Sequence, residues 1–312
     1  MYITLNYNMI NRIVAIGDLH GDFGVFIKVL EMSRLIDNNG YWSGENTYLI
    51  QMGDILDGKR PGVKIDKNFL NSPGEWNIIK KILELDSQAR LKGGRVISIL
   101  GNHELYPFYF KNDPTFEKEY VKKSDSKKIK EIFGISRTNF FSPGGEGAKF
   151  FSRTRPLLLK IGKVLFVHGS VTDSMINNSI ENGFVNIDKI NKEVSKWLLT
   201  GKKIPNYLKE TGNENPLFSR NYSDIKNYDE DTCNMIKKQL KSFKNIEHVI
   251  MGHSRFKNIN STCDKMLIRT DISLSRAFGG KLKDKKLQAL EIIQNKNEVK
   301  FNIISPLGIT PM

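Results

Sequence analysis

The sequence has little cysteine, no long apolar run and no recognisable secretory leader. Its only cysteines are Cys233 and Cys263, and neither belongs to a CxxC pair. A disulfide framework is therefore excluded, and a reducing setting is expected in which neither cysteine has a chemical role. No apolar run approaches the roughly 20 residues that span a bilayer. Residues 1–12 lack a basic region followed by an apolar one. Together these absences predict a soluble, cytoplasmic protein that does not associate with membranes.

Acidic residues are also scarce relative to basic ones. The 312 residues include 48 lysines and arginines against 34 aspartates and glutamates, which gives a net charge of +14. Hydrophobic residues make up 39% and charged residues 26%. These shares are ordinary for a globular protein and exclude a collagen-like, coiled-coil or wholly disordered chain. The charge favours a polyanionic partner, such as nucleic acid, a membrane surface or a phosphorylated substrate, or else reflects only a lysine-rich composition.

Five short apolar runs each end abruptly in glycine and polar residues. Continuous apolar runs of this length are typical of strands that are buried on both faces. The runs are at 13–16 before GDLHGD, 48–50 before GDILDG, 96–100 before GNHE, 164–167 before HGS, and 248–251 before GHSR.

Helical patterns at 23–36 and 76–91 separate the first three runs, so the chain alternates between strand and helix. This alternation predicts an α/β fold. We expect a two-sheet β-sandwich flanked by helices, with the strands at 266–268, 287–293 and 299–304 forming the second sheet. Segments 105–150 and 171–245 interrupt the rhythm and are expected to be helical insertions that act as caps or specificity elements. With no visible boundary, residues 1–312 are interpreted as one catalytic domain.

The polar residues that follow the five runs include chemistry-bearing side chains. Ligands bind at the carboxyl ends of the strands in an open α/β sheet, and four of the five histidines lie there. Imidazole, carboxylate and amide oxygen together suit borderline divalent metals such as Mn, Fe or Zn. A set this large can hold two ions, about 3.5–4 Å apart, which act on a phosphoester and generate hydroxide at neutral pH. The set comprises Asp18, His20, Asp54, Asn102, His103, His168 and His253.

The five motifs resemble, in order and spacing, those of the calcineurin-like metallophosphoesterases. They are most similar to the phosphoprotein phosphatase branch, whose signatures read GDxHG, GDxxDRG, GNHE, HGG and GH. Three further segments resemble the bacterial-type, Shewanella-like phosphatases. These are RTRP at 153–156, NPLFSR at 215–220 and RTDISLS at 269–275. The resemblance implies the two-sheet fold of that family.

The resemblance also implies roles for individual residues. Asp18 and His20 would hold the first ion, Asp54 would bridge both, and Asn102, His168 and His253 would hold the second. His103 would be the general acid for the leaving group, paired with Asp57; the alternative is that His103 is a further metal ligand. Glu104 would be an anchor behind the ligands that caps the following helix.

The second motif departs from the family pattern. Gly58 stands where the family has an arginine that binds phosphate, and Lys59 and Arg60 follow it. Lysine does not reproduce the bidentate contact of a guanidinium with phosphate. Either Arg60 reaches back to make this contact, or Lys59 binds phosphate as a point charge. Arg220 matches a later phosphate-binding arginine of the family, with a surface salt bridge as the alternative. Arg255 either contacts substrate or braces its loop.

The resemblance implies a phosphomonoesterase with two divalent ions that acts on phosphoserine, phosphothreonine or phosphotyrosine of proteins. A metal-bridging hydroxide would be the nucleophile. Two alternatives remain: a dinucleoside polyphosphate hydrolase and a non-catalytic pseudophosphatase. The expected partner is a phosphorylated protein or a small phosphoester, and DNA binding is not expected. The sequence leaves open the substrate, the identity of the metals and the oligomeric state.

Overall fold

The computed structural model describes residues 12–111, 113–223, 229–295 and 298–312. Residues 1–11, which contain most of the segment searched for a secretory leader, lie outside this range. None of the helices in the described ranges is both long and apolar enough to cross a membrane. The strands are β1 (Arg12–Ile16), β2 (Tyr48–Gln51), β3 (Arg95–Ser98), β4 (Leu158–Ile161), β5 (Val164–Val167), β6 (Ile180–Glu181), β7 (Phe184–Val185), β8 (His248–Met251), β9 (Asn260–Thr262), β10 (Leu267–Arg269), β11 (Ala289–Gln294), β12 (Val299–Ser305) and β13 (Gly308–Pro311).

Helices flank these strands. They are α1 (Phe23–Met32), α2 (Lys67–Asn71), α3 (Glu75–Arg90), α4 (Asn102–Tyr109), α5 (Pro114–Tyr120), α6 (Lys123–Phe133), α7 (Arg137–Phe141), α8 (Glu146–Thr154), α9 (Asp173–Asn177), α10 (Ile187–Thr200) and α11 (Glu230–Leu240). The α1 helix ends before the predicted Ile36 because Arg34 has a positive φ of 57°. On α3, Leu85 is buried, whereas Leu83 is 39% exposed.

The predicted two-sheet α/β architecture is confirmed. One sheet has six strands in the order β13-β12-β11-β1-β2-β3, and the other has five in the order β4-β5-β8-β10-β9. Strands β1, β2 and β3 run parallel, so their carboxyl ends lie at one edge. Strands β5, β8 and β10 are also parallel to one another. All five runs predicted from the sequence are strands of these two sheets.

The assignment of the last strands to a second sheet was wrong for two of the three. Of these strands only β10 lies in the five-stranded sheet, whereas β11 and β12 extend the six-stranded one. Strand β11 pairs antiparallel with β1, with Ile13 opposite Ile292. Because β1 is buried on both faces, its second edge needs a partner. An apolar run in the sequence does not show which edge it will join.

Segments 105–150 and 171–245 are largely helical, as expected, and they pack on one another. Ser195 of α10 donates a hydrogen bond to the carbonyl of Ser152 in α8 (2.7 Å). Within the first segment, residues 122–130 are rich in lysine. This stretch is not simply a solvated helix face. Lys122 is fully buried, and its Nζ donates to the carbonyl oxygens of Gly21 (3.1 Å) and Ser72 (2.8 Å). This lysine therefore joins the segment to the loop after β1.

The two cysteines form a disulfide, which corrects the expectation that they have no chemical role. Cys233 of α11 is bonded to Cys263 in the β9–β10 turn, with 5.4 Å between their Cα atoms. The bridge spans a separation of 30 residues that includes β8 and the loop after it. Disulfides persist in oxidising surroundings, so the cysteine count does not support a reducing compartment.

One cavity lies away from the predicted site residues. It is a cleft of about 490 Å³ between the two edge strands β3 and β4, α3, α8 and the β6–β7 hairpin. Its walls include Ile82, Phe150 and Phe184. None of the predicted ligands lines it.

Two glycines let the loops after β2 and β3 approach each other. Gly53 has a φ of +91°, and a Cβ there would lie 2.6 Å from the backbone nitrogen of Gly101. A Cβ on Gly101 would overlap the backbone nitrogen and Oδ1 of Asp54. These glycines are required because the two loops touch through their backbones.

We expect Gly101→Ala to displace Asp54 and to lower the free energy of unfolding by about 1–3 kcal/mol, the usual cost of overpacking. Urea unfolding measures this loss, and metal content after purification reports the displacement. Gly212→Ala is the matched control because a Cβ at Gly212 meets nothing within 4 Å. Equal stability and metal content in both variants would show that the loops adapt.

Candidate active site

The loops that follow the parallel strands of both sheets meet at one place. Leu19 and His20 donate their backbone N–H groups to the carbonyl of Asp54 (3.1 and 2.8 Å). Gly252 donates its N–H to the carbonyl of His168 (2.9 Å). These bonds join the loops after β1 and β2, and those after β5 and β8. All five motifs therefore surround one buried centre.

Backbone strain is present in these loops. Four of the polar residues that the sequence singled out have φ in the left-handed region. Such values are uncommon for residues other than glycine, and they cluster at sites where function requires them. The four are His20 (42°), Asp54 (55°), Asp57 (67°) and His253 (65°).

The side chains form two overlapping groups that can hold metal ions. In each group the ligand atoms lie within 4.8 Å of one another: one group is His20, Asp54 and His103, and the other is Asp54, His168 and His253. Asp54 belongs to both. The remaining predicted ligands are adjacent. Asp18 Oδ2 lies 3.9 Å from Nε2 of His20, and Asn102 Oδ1 lies 2.9 Å from Nε2 of His168 and 3.0 Å from Nδ1 of His253.

Backbone carbonyls fix which histidine nitrogen faces the centre. Nδ1 of His20 lies 3.0 Å from the carbonyl of Leu56, and Nδ1 of His168 lies 2.7 Å from that of Met52. Nε2 of His253 lies 3.0 Å from the carbonyl oxygen of Phe218. A carbonyl only accepts, so these nitrogens are the donors. The other nitrogen of each ring is then left for a metal, which is the arrangement common to metal-ligating histidines.

The charges at this centre suit a cation. Burial raises the pKa of Asp18 well above its usual range, and the neighbouring Asp271 adds to the shift. Burial opposes the charged form of His168, yet the carboxylates of Asp54 and Asp18 raise its pKa to about 10. Burial lowers the pKa of His20 well below its usual value, aided by Arg60. The donor set therefore fits divalent ions.

Asp271 is a site residue that the sequence analysis did not single out. Burial raises its pKa to about 6, and its Oδ2 is buried with no hydrogen-bond partner among the residues that the structure describes. It lies in the RTDISLS segment, beside Asp18. Such an orphaned acceptor is consistent with a cation nearby.

Glu104 braces the loop that carries Asp54. Its carboxylate accepts N–H bonds from Asp54 (2.8 Å), Ile55 (2.8 Å) and Gly101 (2.7 Å). Gly101 is the N-cap residue of α4 and Glu104 its third residue, so the position matches the predicted helix-capping anchor. Arg155, from the RTRP segment, approaches Glu104 at 3.4 Å.

His103 has partners on both sides of its ring. Nδ1 lies 2.9 Å from Oδ2 of Asp57, and Nε2 lies 3.8 Å from Oδ2 of Asp54. The ring of Tyr106 is 4.0 Å away, centroid to centroid. The predicted pairing with Asp57 is present, and Nε2 faces the centre. Arg137 and Glu75 lie behind Asp57, and no sequence pattern pointed to them.

Arg60, and not Lys59, reaches the centre. Its Nη2 donates to Nε2 of His20 (2.8 Å) and lies 3.3 Å from Nε2 of His103. An ion bound at His20 would replace the first of these bonds. Lys59 instead donates from Nζ to the carbonyl of Lys118.

Two further arginines flank the site. Arg220 donates to Oγ of Ser254 (2.7 Å) and to the carbonyl of His253 (3.3 Å), and within the described residues it has no carboxylate partner. The guanidinium of Arg255 lies 4.8 Å from the ring centroid of Phe278, and that of Arg60 lies at the same distance. Phe278, which the sequence analysis missed, therefore contacts two cationic side chains.

The chain is similar to known proteins. It matches the model of the calcineurin-like phosphoesterase family over residues 11–254. It is 26% identical over 303 residues to Shewanella-like protein phosphatase 2 of Arabidopsis thaliana, covering 85% of this chain and 72% of that protein. It is 28% identical over 315 residues to Shewanella-like protein phosphatase 1 of Plasmodium berghei, covering 95% and 78%.

A solved structure is similar in fold. The cold-active protein-tyrosine phosphatase of a psychrophilic Shewanella species superposes with a TM-score of 0.68 at 21% identity, covering 94% of this chain and 77% of that one. The predicted resemblance to the Shewanella-like group is thereby confirmed. The family match spans the strands and loops that carry the buried aspartates and histidines. The chain belongs to the calcineurin-like phosphoesterase family and is a metal-dependent phosphoester hydrolase.

Proposed function

We propose that the chain is a phosphomonoesterase with two divalent ions that dephosphorylates proteins. The observation that carries this proposal is the position of Asp54. Its carboxylate belongs to both groups, in each of which the ligand atoms lie within 4.8 Å of one another. Relatives named as protein phosphatases support a phosphoprotein substrate.

The ligands divide around Asp54. Asp18, His20 and Asp54 would hold one ion, and Asp54, Asn102, His168 and His253 the other. Bound ions would supply Lewis acidity at the phosphoryl group and a water of lowered pKa. Mn, Fe and Zn all suit this donor set.

Two arginines are placed to bind the phosphoryl oxygens. Arg60 lies against His20 and His103, and Arg220 lies beside His253. A guanidinium binds phosphate through two parallel N–H groups. In the family motif, the phosphate-binding arginine stands at the position of Gly58. Arg60, two residues further along the chain, thus performs that role here.

His103 is the proton donor to the leaving oxygen. Its Nδ1 is held by Asp57, so Nε2 is the nitrogen that faces the substrate. Asp57 thus orients the ring so that Nε2 can release its proton to the leaving oxygen as the P–O bond breaks.

Aromatic rings lie next to His103, and such rings favour a phosphotyrosine substrate. Tyr106 stacks on Phe218 with 5.8 Å between centroids, and Phe116 stacks on Tyr120 at 5.4 Å. These rings come from the segments 105–150 and 171–245, which supports the prediction that both segments are specificity elements. A phenyl ring gains from such contacts about 0.5–1.5 kcal/mol per pair.

Matched peptides that differ only in phosphotyrosine, phosphoserine or phosphothreonine test the substrate class. We expect kcat/KM for the phosphotyrosine peptide to exceed that for the other two by about tenfold, because one or two ring contacts contribute a binding free energy of that size. Tyr106→Leu should reduce this preference, and EDTA should abolish all turnover until Mn is returned. Faster cleavage of diadenosine tetraphosphate than of any peptide would instead identify a dinucleotide hydrolase.

Replacing His103 by Gln should lower turnover according to the leaving group. On phosphoserine peptides the loss should be about 10²–10⁴-fold, the usual value of general-acid catalysis. On p-nitrophenyl phosphate, whose leaving group needs no proton, we expect less than about a tenfold loss. Metal content should match the wild type; a missing ion would make His103 a ligand instead.

Arg60→Ala should weaken phosphate binding, and Lys59→Ala should not. We expect kcat/KM to fall by one to two orders of magnitude for Arg60→Ala, since a charge-assisted hydrogen bond contributes about 1.5–3 kcal/mol. Arg60→Lys should restore little because it lacks the planar fork. Inhibition by inorganic phosphate measures binding directly. Equal inhibition of the two alanine variants would contradict the assignment.

A further inference from the structure

A buried ion network lies directly behind the His103–Asp57 pair. Its members are almost fully shielded from solvent: Arg137 is 2% exposed, and Glu75 and Asp57 are 0% exposed. Nη2 of Arg137 donates to Oδ1 of Asp57 (2.7 Å). The oxygen of Asp57 that Arg137 does not bind is the one that faces His103. One guanidinium therefore determines which carboxylate oxygen is presented to the imidazole.

Glu75 fixes the same aspartate through its backbone. Oε1 of Glu75 accepts the N–H of Asp57 (2.8 Å). The left-handed φ of 67° at Asp57 is a strained conformation that the surroundings must hold. Glu75 is itself clamped by Arg137, whose Nε binds Oε2 (2.7 Å) and whose Nη2 binds Oε1 (2.8 Å). The two residues thus hold both the main chain and the side chain of Asp57.

The network is closed by a second ion pair. Oδ1 of Asp125 accepts the N–H of Glu75 (3.0 Å), and its Oδ2 lies 3.2 Å from Nζ of Lys122. Arg137, Lys122 and Asp125 all come from the segment 105–150, whereas Asp57 follows β2. A buried ion pair adds little net stability compared with apolar side chains of the same size. Because this network lies against the strained residue Asp57, we interpret it as holding Asp57 in position.

We propose that Arg137 and Glu75 are positioning residues that hold Asp57 so that it orients His103 as the proton donor. This inference rests on the proposed function. It makes proton donation depend on segment 105–150, which supplies Arg137 from α7. Within the described part of the chain, neither residue makes a hydrogen bond or an ion pair with a proposed ion ligand.

The test compares Arg137→Met and Arg137→Lys with wild type, each as the metal-loaded enzyme. We expect Arg137→Met to reduce kcat on a phosphoserine peptide by about 10–100-fold, within the range of general-acid catalysis. Turnover of p-nitrophenyl phosphate should fall less than about threefold. Arg137→Lys retains the charge and should recover part of the loss. Arg90→Met is the matched control, because the half-exposed Arg90 pairs, as far as the described ranges show, only with Asp86 of the same helix.

Combining each change with His103→Gln separates positioning from a general loss of structure. Residues that act as a unit are non-additive, so Arg137→Met should cost nothing further once His103 is gone. A loss that is equal on both substrates, or that adds fully to that of His103→Gln, would overturn the proposal. If Arg137→Met does not fold, Arg137→Lys and Glu75→Gln are judged by the same two criteria.

A second readout does not depend on turnover. The Nδ1 proton of His103, held by Asp57, should give a low-field NMR signal that His103→Gln removes. We expect Arg137→Met to shift or broaden that signal, and an unchanged signal would contradict the inference. If His103→Gln itself shows no dependence on the leaving group, the proposed function fails, whatever Arg137 does.

Discussion

The buried carboxylate of Asp54 is the constraint on which the site depends. It lies just after β2, where four histidines approach it, and its backbone is held in the left-handed region. A charge without solvent must be compensated by its neighbours. Burial disfavours its ionised form, yet His168 and His103 hold its pKa well below the usual range. The loops of both sheets converge on this one group, since each sheet supplies two of the histidines around it.

Glu104 transmits this constraint to the fold. By accepting four backbone N–H groups, it joins the loop after β2 to the start of α4. Gly101 has no Cβ, so the two loops can touch. Behind them, Arg137 and Glu75 hold Asp57 in the same way that Glu104 holds Asp54. The site is thus supported by buried carboxylates that bind main-chain N–H groups, which leaves the histidines free to face the centre.

The net charge of +14 has an uneven distribution. Lys122, in the lysine-rich stretch at 122–130, is buried and joins segment 105–150 to the loop after β1. The cations nearest the catalytic centre are arginines. Arg60 contacts His20 and His103, Arg220 lies beside His253, and Arg255 stacks on Phe278. Because guanidinium is planar and remains charged when buried, these three concentrate the field where a phosphoryl group would bind.

The sequence by itself determined the five strands and the polar residues at their ends, because continuous apolar runs and the glycines after them are local signals. It also determined which side chains can bind a metal, because ligand chemistry belongs to the residue type. Only the tertiary structure decided that β11 joins β1, that Cys233 meets Cys263, and that Arg60 rather than Lys59 turns inward. It alone brought Arg137, Glu75 and Asp271 to the site. Contacts between residues far apart in the chain depend on packing, and no local pattern encodes them.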